Sequence, residues 1–341
     1  MNFQVSALAL VDEVAAQRTC DDLLARLPAS DNDPGAPERL CALNREFRLR
    51  PWPAPYNKTQ HVLRLGDAAD LSFVPDESVH LIVTSPPYFN IKEYASNAEG
   101  RQLGRIQDYE EFLTQLDAVW RECERVLVPM GRVCCVVGPV TVPRRTGRHW
   151  VIPLPSDIQV RSRQIGLDNL TPIIWHKIGN RTNEAGGGSS GFYGKPYQPG
   201  AVIKNDCETI VMLRKPGDYR PRPMLQKALS MLQPEEMNTW QRWMWEDVRG
   251  ASLRNGHPAP YPVELAERLI RLFSFAGDTV LDPFGGSGST AAAAIRSGRN
   301  SISVEIEREY VDMAATRLNN EVAKQAKGGV GASSARLTVE T

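Results

Sequence analysis

Thr279-Val280-Leu281-Asp282-Pro283-Phe284-Gly285-Gly286-Ser287-Gly288-Ser289-Thr290 runs a short apolar strand into a glycine turn, and residues 291–297 continue it as a helix of small side chains. A second strand, residues 301–304, follows and ends on Glu305. Strand, glycine turn, helix, strand and acid is the order in which a doubly wound α/β fold holds the adenosine part of a cofactor. Gly286-Ser287-Gly288-Ser289-Thr290-Ala291 fits GxGxxA, and Glu305 lies nineteen residues beyond Gly286, where a ribose-binding acid belongs. The phosphate loop of a nucleotide hydrolase needs Lys where Ser289 stands, so that reading is set aside. NAD(P) and other adenosyl cofactors remain. Asp282 favours the latter, because a carboxylate at the strand end repels a pyrophosphate and suits the ammonium of an amino acid, which S-adenosylmethionine carries.

Upstream, two β-like runs at 61–65 and 79–83 end in Gly66-Asp67 and in Thr84-Ser85-Pro86-Pro87-Tyr88. Consecutive prolines fix the backbone where a parallel sheet opens toward its ligand. The Ser85 hydroxyl and the carbonyls of Ser85 and Pro86 suit both hydrogens of an exocyclic amine, while Tyr88 can stack on the ring that bears it. Residues 108–128 show helical apolar spacing behind an Asp108 cap and lead into a strand at 133–137, a βαβ signature. Further strands are expected at 171–175 and 208–213, and an amphipathic helix at 261–275. The fold class is therefore α/β, a doubly wound, mostly parallel Rossmann-like sheet.

The pair TSPPY and DPFGGSGST resembles the β arrangement of amino-methylating DNA methyltransferases, in which the catalytic turn precedes the cofactor loop. The resemblance spans roughly residues 60–320 and extends to Leu65-Gly66-Asp67, Ile173-Ile174-Trp175-His176-Lys177 and His257-Pro258-Ala259-Pro260-Tyr261-Pro262. It implies S-adenosyl-L-methionine as cofactor, duplex DNA as substrate and no metal. Ser85, Pro86, Pro87 and Tyr88 would form the catalytic turn. Asp282, Pro283, Phe284, Gly285, Ser287 and Gly288 would cradle the methionine portion, with Ser289 and Thr290 opening the helix. Glu305 would take the ribose hydroxyls, Asp67 would lie near the adenine, and His257 and Pro258 would start a helix closing over the cofactor. Trp175 and Lys177 would line the DNA side. Ser at the head of the turn implies the exocyclic N4 amine of cytosine, in a base swung out of the stack. Adenine N6 methylation is the nearest rival. An NAD(P)-dependent oxidoreductase would leave the Ser85–Tyr88 turn without work.

The rest of the 341-residue chain fits this reading. Forty Lys+Arg balance forty Asp+Glu, yet residues 141–222 hold 13 basic against 6 acidic side chains, a local +7 that suits phosphate contact. Arg144, Arg145, Arg181, Arg214 and Lys215 are its candidate DNA-binding cations. Carbon-5 methylation is set aside, since none of the six cysteines follows a proline. Without CxxC spacing they read as reduced core thiols. No apolar run is long enough for a membrane span, and a cytoplasmic, nucleoid-associated location is expected. The expected organisation is an N-terminal helical appendage (1–55), a catalytic half (56–179), a target-recognition region (180–250), a cofactor-binding half (251–323) and a disordered tail (324–341). A monomer or homodimer fits this plan, and any cleavage of DNA belongs to a separate restriction endonuclease, because no nuclease constellation appears here.

Overall fold

The computed structural model describes residues 20–89, 102–142, 148, 150–177, 192–193, 202–203, 205–250 and 261–340. Thirteen strands lie among these described residues: β1 Lys58–Leu65, β2 Val79–Thr84, β3 Leu127–Val137, β4 Val140–Val142, β5 Trp150–Ile152, β6 Asp168–His176, β7 Phe192–Tyr193, β8 Val202–Ile203, β9 Cys207–Arg214, β10 Met244–Trp245, β11 Thr279–Asp282, β12 Asn300–Glu305 and β13 Ser334–Glu340. Nine of them form one sheet in the order β10-β6-β9-β3-β2-β11-β12-β1-β13. Within it, β9 runs antiparallel to its neighbours β3 and β6, and the other pairs are parallel. The expected doubly wound, mostly parallel sheet is thus the fold.

Strands β2 and β3 are buried on both faces and accordingly read as apolar runs. Adjacent side chains serve opposite cores: Val133, Cys135 and Val137 pack toward α2 (Tyr109–Val126) and α3 (Leu154–Ile165). Cys134 and Val136 pack toward α6 (Val263–Phe273) and α7 (Ser289–Ser297). All six cysteines are free thiols. Helix α2 starts where the sequence places it, with the Asp108 carboxylate accepting from the Glu111 N–H at 2.8 Å. From β2 the chain winds outward through β3, and from β11 it winds the other way through β12. Two strands almost two hundred residues apart in sequence therefore lie side by side, Leu81 against Val280 and Ile82 against Leu281. A crevice opens at the carboxyl ends of strands that diverge in this way.

Four sequence expectations are corrected. The two prolines at 34 and 37, which in sequence mark a connector, do not form one, because Pro37 sits in the first turn of α1 (Ala36–Phe47), where a missing N–H costs nothing. Residues 20–55 are no appendage either: Leu23, Leu43, Phe47 and Trp52 share a core with Ala228 and Leu229, and Asn44 donates to both of their carbonyls. Those partners lie in α4 (Met224–Ser230), which α5 (Pro234–Trp240) follows. Strand β9 lies deep in the sheet, so the boundary between a catalytic half and a recognition region cannot fall at 180. The tail is ordered: α8 (Arg308–Gly328) extends to 328 and β13 pairs with β1 over seven residues. Residues 334–340 alternate polar and apolar side chains, as an edge strand with one covered face does. The AGGGSSG stretch at 185–191 lies outside the described residues.

Deleting residues 329–341 strips β1 of its outer neighbour, the Arg64–Glu340 ion pair and the Trp52 N–H bond to Gly331. The midpoint of thermal unfolding should fall by at least about 5 °C, which differential scanning fluorimetry checks.

Candidate active site

The turns after β2 and β11 flank a cavity of about 470 Å³, within the roughly 300–1,000 Å³ usual for ligand sites. Ser85, Pro86, Pro87 and Tyr88 line it from one side, and Pro283, Phe284 and Gly286 from the other. Gly66 and Asp67 after β1 and Glu305 to Glu307 at the end of β12 also line it. Proximity of these segments follows from sheet order alone, since all four leave the carboxyl ends of parallel strands.

The glycine loop is fixed by its approach to β12. Gly285 donates to the Val304 carbonyl at 2.7 Å, and a Cβ there would stand 3.1 Å from Ser303 Cβ and 3.2 Å from the Val304 oxygen. Gly288 caps α7 with φ at +79°, a conformation that strains any residue with a Cβ. Glu305 faces the loop: Oε2 accepts from the Gly286 N–H at 2.8 Å and Oε1 from the Glu307 N–H at 2.9 Å. Burial pushes its carboxyl up to about 7, against the opposing pull of those backbone donors.

Asp282 departs from the sequence reading. It is 1% exposed and does not line the cavity. Oδ1 accepts from Thr84 Oγ1 at 2.7 Å and from the Phe284 N–H at 3.1 Å. Oδ2 accepts from the Tyr261 hydroxyl at 3.0 Å, with Thr290 Oγ1 at 2.8 Å. The carboxylate therefore ties both turns and the start of α6 together instead of meeting an ammonium. Burial raises its pKa despite these donors. Ser289 donates to the Tyr261 carbonyl at 3.0 Å, and Thr290 Oγ1 also lies 3.1 Å from the Val83 carbonyl. Neither hydroxyl lines the cavity, nor do Gly285, Ser287 and Gly288, which shape the loop from behind. Tyr261, which the sequence marks only as the start of a helix, belongs to this buried web.

The DNA-side expectations are also revised. Trp175 is 1% exposed and donates to the Val248 carbonyl at 2.9 Å, so it is a core residue. Lys177 pairs with Glu208, whose Oε1 accepts from the Tyr88 hydroxyl at 2.8 Å. Glu208 escapes sequence reasoning, because a lone acid at a strand start carries no signal there. Arg214 is paired with Asp168 at 2.8 Å, and Lys215 with Glu77 and Glu124 at 3.4 Å each. Because β9 runs against β3, both basic residues fall at the opposite end of the sheet from the Ser85–Tyr88 turn. Arg144, Arg145, Arg181, His257 and Pro258 lie outside the described residues.

Among the described residues lining the cavity, Asp67, Glu111, Glu305 and Glu307 are acids, and none is Lys, Arg or His. Such a lining opposes a pyrophosphate and suits a ligand that carries positive charge, as the sulfonium and ammonium of S-adenosyl-L-methionine do. No metal-binding cluster of His, Cys, Asp and Glu occurs among the described residues, and no helix there is long and apolar enough to cross a membrane. Tyr261→Phe removes one donor from a buried carboxylate and should cost about 1.5–3 kcal/mol of stability, measurable by urea unfolding.

Residues 79–316 match the model of the N6/N4 DNA methylase family. The type II methyltransferase M.MjaI of Methanocaldococcus jannaschii is 36% identical over 278 residues, covering 73% of this chain and 88% of its own length. The DNA adenine methyltransferase YhdJ of Escherichia coli K12 is 30% identical over 273 residues, covering 74% of this chain and 81% of its own. TTHA0409 of Thermus thermophilus, solved in complex with S-adenosyl-L-methionine, superposes with a TM-score of 0.65 at 45% identity, covering 82% of this chain and 98% of the other. The fold alone is shared with the PvuII cytosine-N4-specific DNA methyltransferase, at a TM-score of 0.54 and 18% identity over 86% of this chain and 98% of the other. The chain thus belongs to the N6/N4 DNA methylase family and is a DNA-modifying methyltransferase that uses S-adenosyl-L-methionine.

Proposed function

We propose that this enzyme methylates the N4 amine of cytosine in duplex DNA, with the target base flipped out of the helix. The observation that carries the reading is Ser85 at the head of the Pro-Pro-Tyr turn, lining the cavity beside Tyr88. When bound, S-adenosyl-L-methionine supplies a methyl group on a positively charged sulfur. Everything else falls to the protein. The Ser85 hydroxyl and the carbonyls of the turn accept the amine hydrogens, which directs the nitrogen lone pair toward the cofactor side of the cavity. Pro86 and Pro87 keep those acceptors from rotating, so orientation is already arranged before the base arrives. Tyr88 stacks on the base and offsets part of the unstacking cost, at about 1–3 kcal/mol per base. On transfer the amine nitrogen would gain the methyl group as its bond to sulfur breaks, leaving a neutral sulfur, and would release one proton to solvent.

On the cofactor side, Glu305 accepts the ribose hydroxyls with the lone pairs its backbone donors leave open. Phe284 covers an apolar face and Asp67 lies by the adenine. The carboxylates of the rim favour the positive charges of the cofactor over the neutral-sulfur product. Duplex DNA is the substrate, and the type II relatives support a place in a restriction-modification pair whose endonuclease is another protein.

Incubation with methyl-labelled cofactor and unmethylated duplex DNA, followed by nucleoside mass analysis, should yield N4-methylcytosine. Formation of N6-methyladenine instead would assign the enzyme to the reaction named for YhdJ and overturn the role given to Ser85. A second outcome concerns pH. Ribose hydroxyls bond best to ionised Glu305, which protonates below about 7 in the free protein. Cofactor affinity by titration calorimetry should therefore fall as pH drops, approaching about tenfold per pH unit, and Glu305→Gln should abolish that slope.

A further inference from the structure

Tyr88 is tethered from outside the catalytic turn. Its hydroxyl donates to Glu208 Oε1 at 2.8 Å, and the Lys177 ammonium lies on the same carboxylate. Glu208 and Lys177 side chains are only 12% and 13% exposed, and in that setting their opposite charges compensate each other. Both residues are placed by the antiparallel pair β6–β9, in which Trp175 stands opposite Glu208. The Lys177 N–H closes on the Asp206 carbonyl at 3.0 Å, and its ammonium sits 5.3 Å from the buried Trp175 ring. Gly138, just past β3, makes room: a Cβ there would meet Glu208 Cγ at 3.4 Å and Tyr88 Cε1 at 3.8 Å. The ring thus has its hydroxyl pinned behind the turn while the residue still lines the cavity.

We propose that Glu208 and Lys177 are positioning residues that lock the Tyr88 ring as a preformed platform for the flipped base. A phenol free to rotate about two side-chain bonds would have to be ordered each time a base enters. A charge-assisted bond to a carboxylate that is itself fixed by an ammonium removes that cost beforehand. This also accounts for the residues that the sequence alone places on the DNA face: Trp175 supports Lys177, Lys177 neutralises Glu208, and Glu208 holds Tyr88.

The inference rests on the DNA-methylating activity proposed above, and its test separates the two. Steady-state methylation of duplex DNA is compared for the whole chain and for Tyr88→Phe, Glu208→Ala, their combination, Glu208→Gln with Lys177→Met, and Tyr88→Ala. Tyr88→Phe and Glu208→Ala should each lower kcat/KM for DNA by about tenfold, with cofactor affinity unchanged. The combination should lose no more than either alone, because both break the same tether. The neutral Gln–Met pair keeps an acceptor for the phenol and should recover most activity. Multiplying losses in the combination, or wild-type kcat/KM in Tyr88→Phe, would overturn the proposal. Should Glu208→Ala fail to fold, Tyr88→Phe decides alone, since it removes one oxygen and leaves the ring. Loss in Tyr88→Ala with full activity in Tyr88→Phe would reject the tether and leave base stacking intact, whereas full activity in Tyr88→Ala would reject both.

Discussion

The buried carboxylate of Asp282 is the joint on which the site depends. It closes β11, accepts from Thr84 at the end of β2, from the Phe284 amide in the glycine loop and from Tyr261 ahead of α6. These donors come from three stretches of chain that no local rule would bring together. A carboxylate this deeply buried is tolerated only because polar hydrogens surround it. That requirement runs both ways, since each donor is also held at one place. The geometry between the Ser85–Tyr88 turn and the glycine loop is therefore set by an internal electrostatic constraint.

Around this joint the sheet supplies directions. Parallel strands put their carboxyl ends on one edge, so turns from β1, β2, β11 and β12 all open toward the same cavity. Between β2 and β11 the winding reverses, and the helices that follow them leave to opposite faces, which leaves the crevice uncovered. The antiparallel β9 does something different. Running against β3, it brings its first residues to the functional edge and its last to the far edge, and so Glu208 meets Tyr88 while Arg214 is carried away from it.

Charge follows the same logic of compartments. Acids line the cavity rim, where a cationic cofactor is wanted, and Glu305 is buried enough to titrate near neutrality. Several basic residues that look like phosphate contacts in a one-dimensional count are consumed by neighbours: Arg214 by Asp168, Arg220 by Asp278, Lys177 by Glu208. Among the described residues, these cations of the basic segment are paired with acids.

How much is legible in the chain before it folds depends on the range of the forces involved. Gly285 and Gly288, the Pro-Pro turn and the apolar runs of β2 and β3 are local requirements of backbone geometry and burial, and each is written where it acts. They suffice for the doubly wound sheet, the two functional turns and Glu305 as an acid at the glycine loop. The ordered tail escapes such a reading because the alternation of residues 334–340 is short and follows a small-residue stretch, so that its pairing with β1 decides it, and helix α1 escapes it because its first-turn proline resembles a linker. Asp282 looks like a ligand contact, and Trp175 and Lys177 like a DNA face, since sequence shows which groups are polar but not what satisfies them. Hydrogen-bond partners separated by 198 residues, as Thr84 and Asp282 are, are chosen by strand order. The order of residues thus dictates which chemistry the chain carries. Which polar groups face the ligand and which hold the others still is settled in three dimensions, because burial and pairing are properties of neighbours in space.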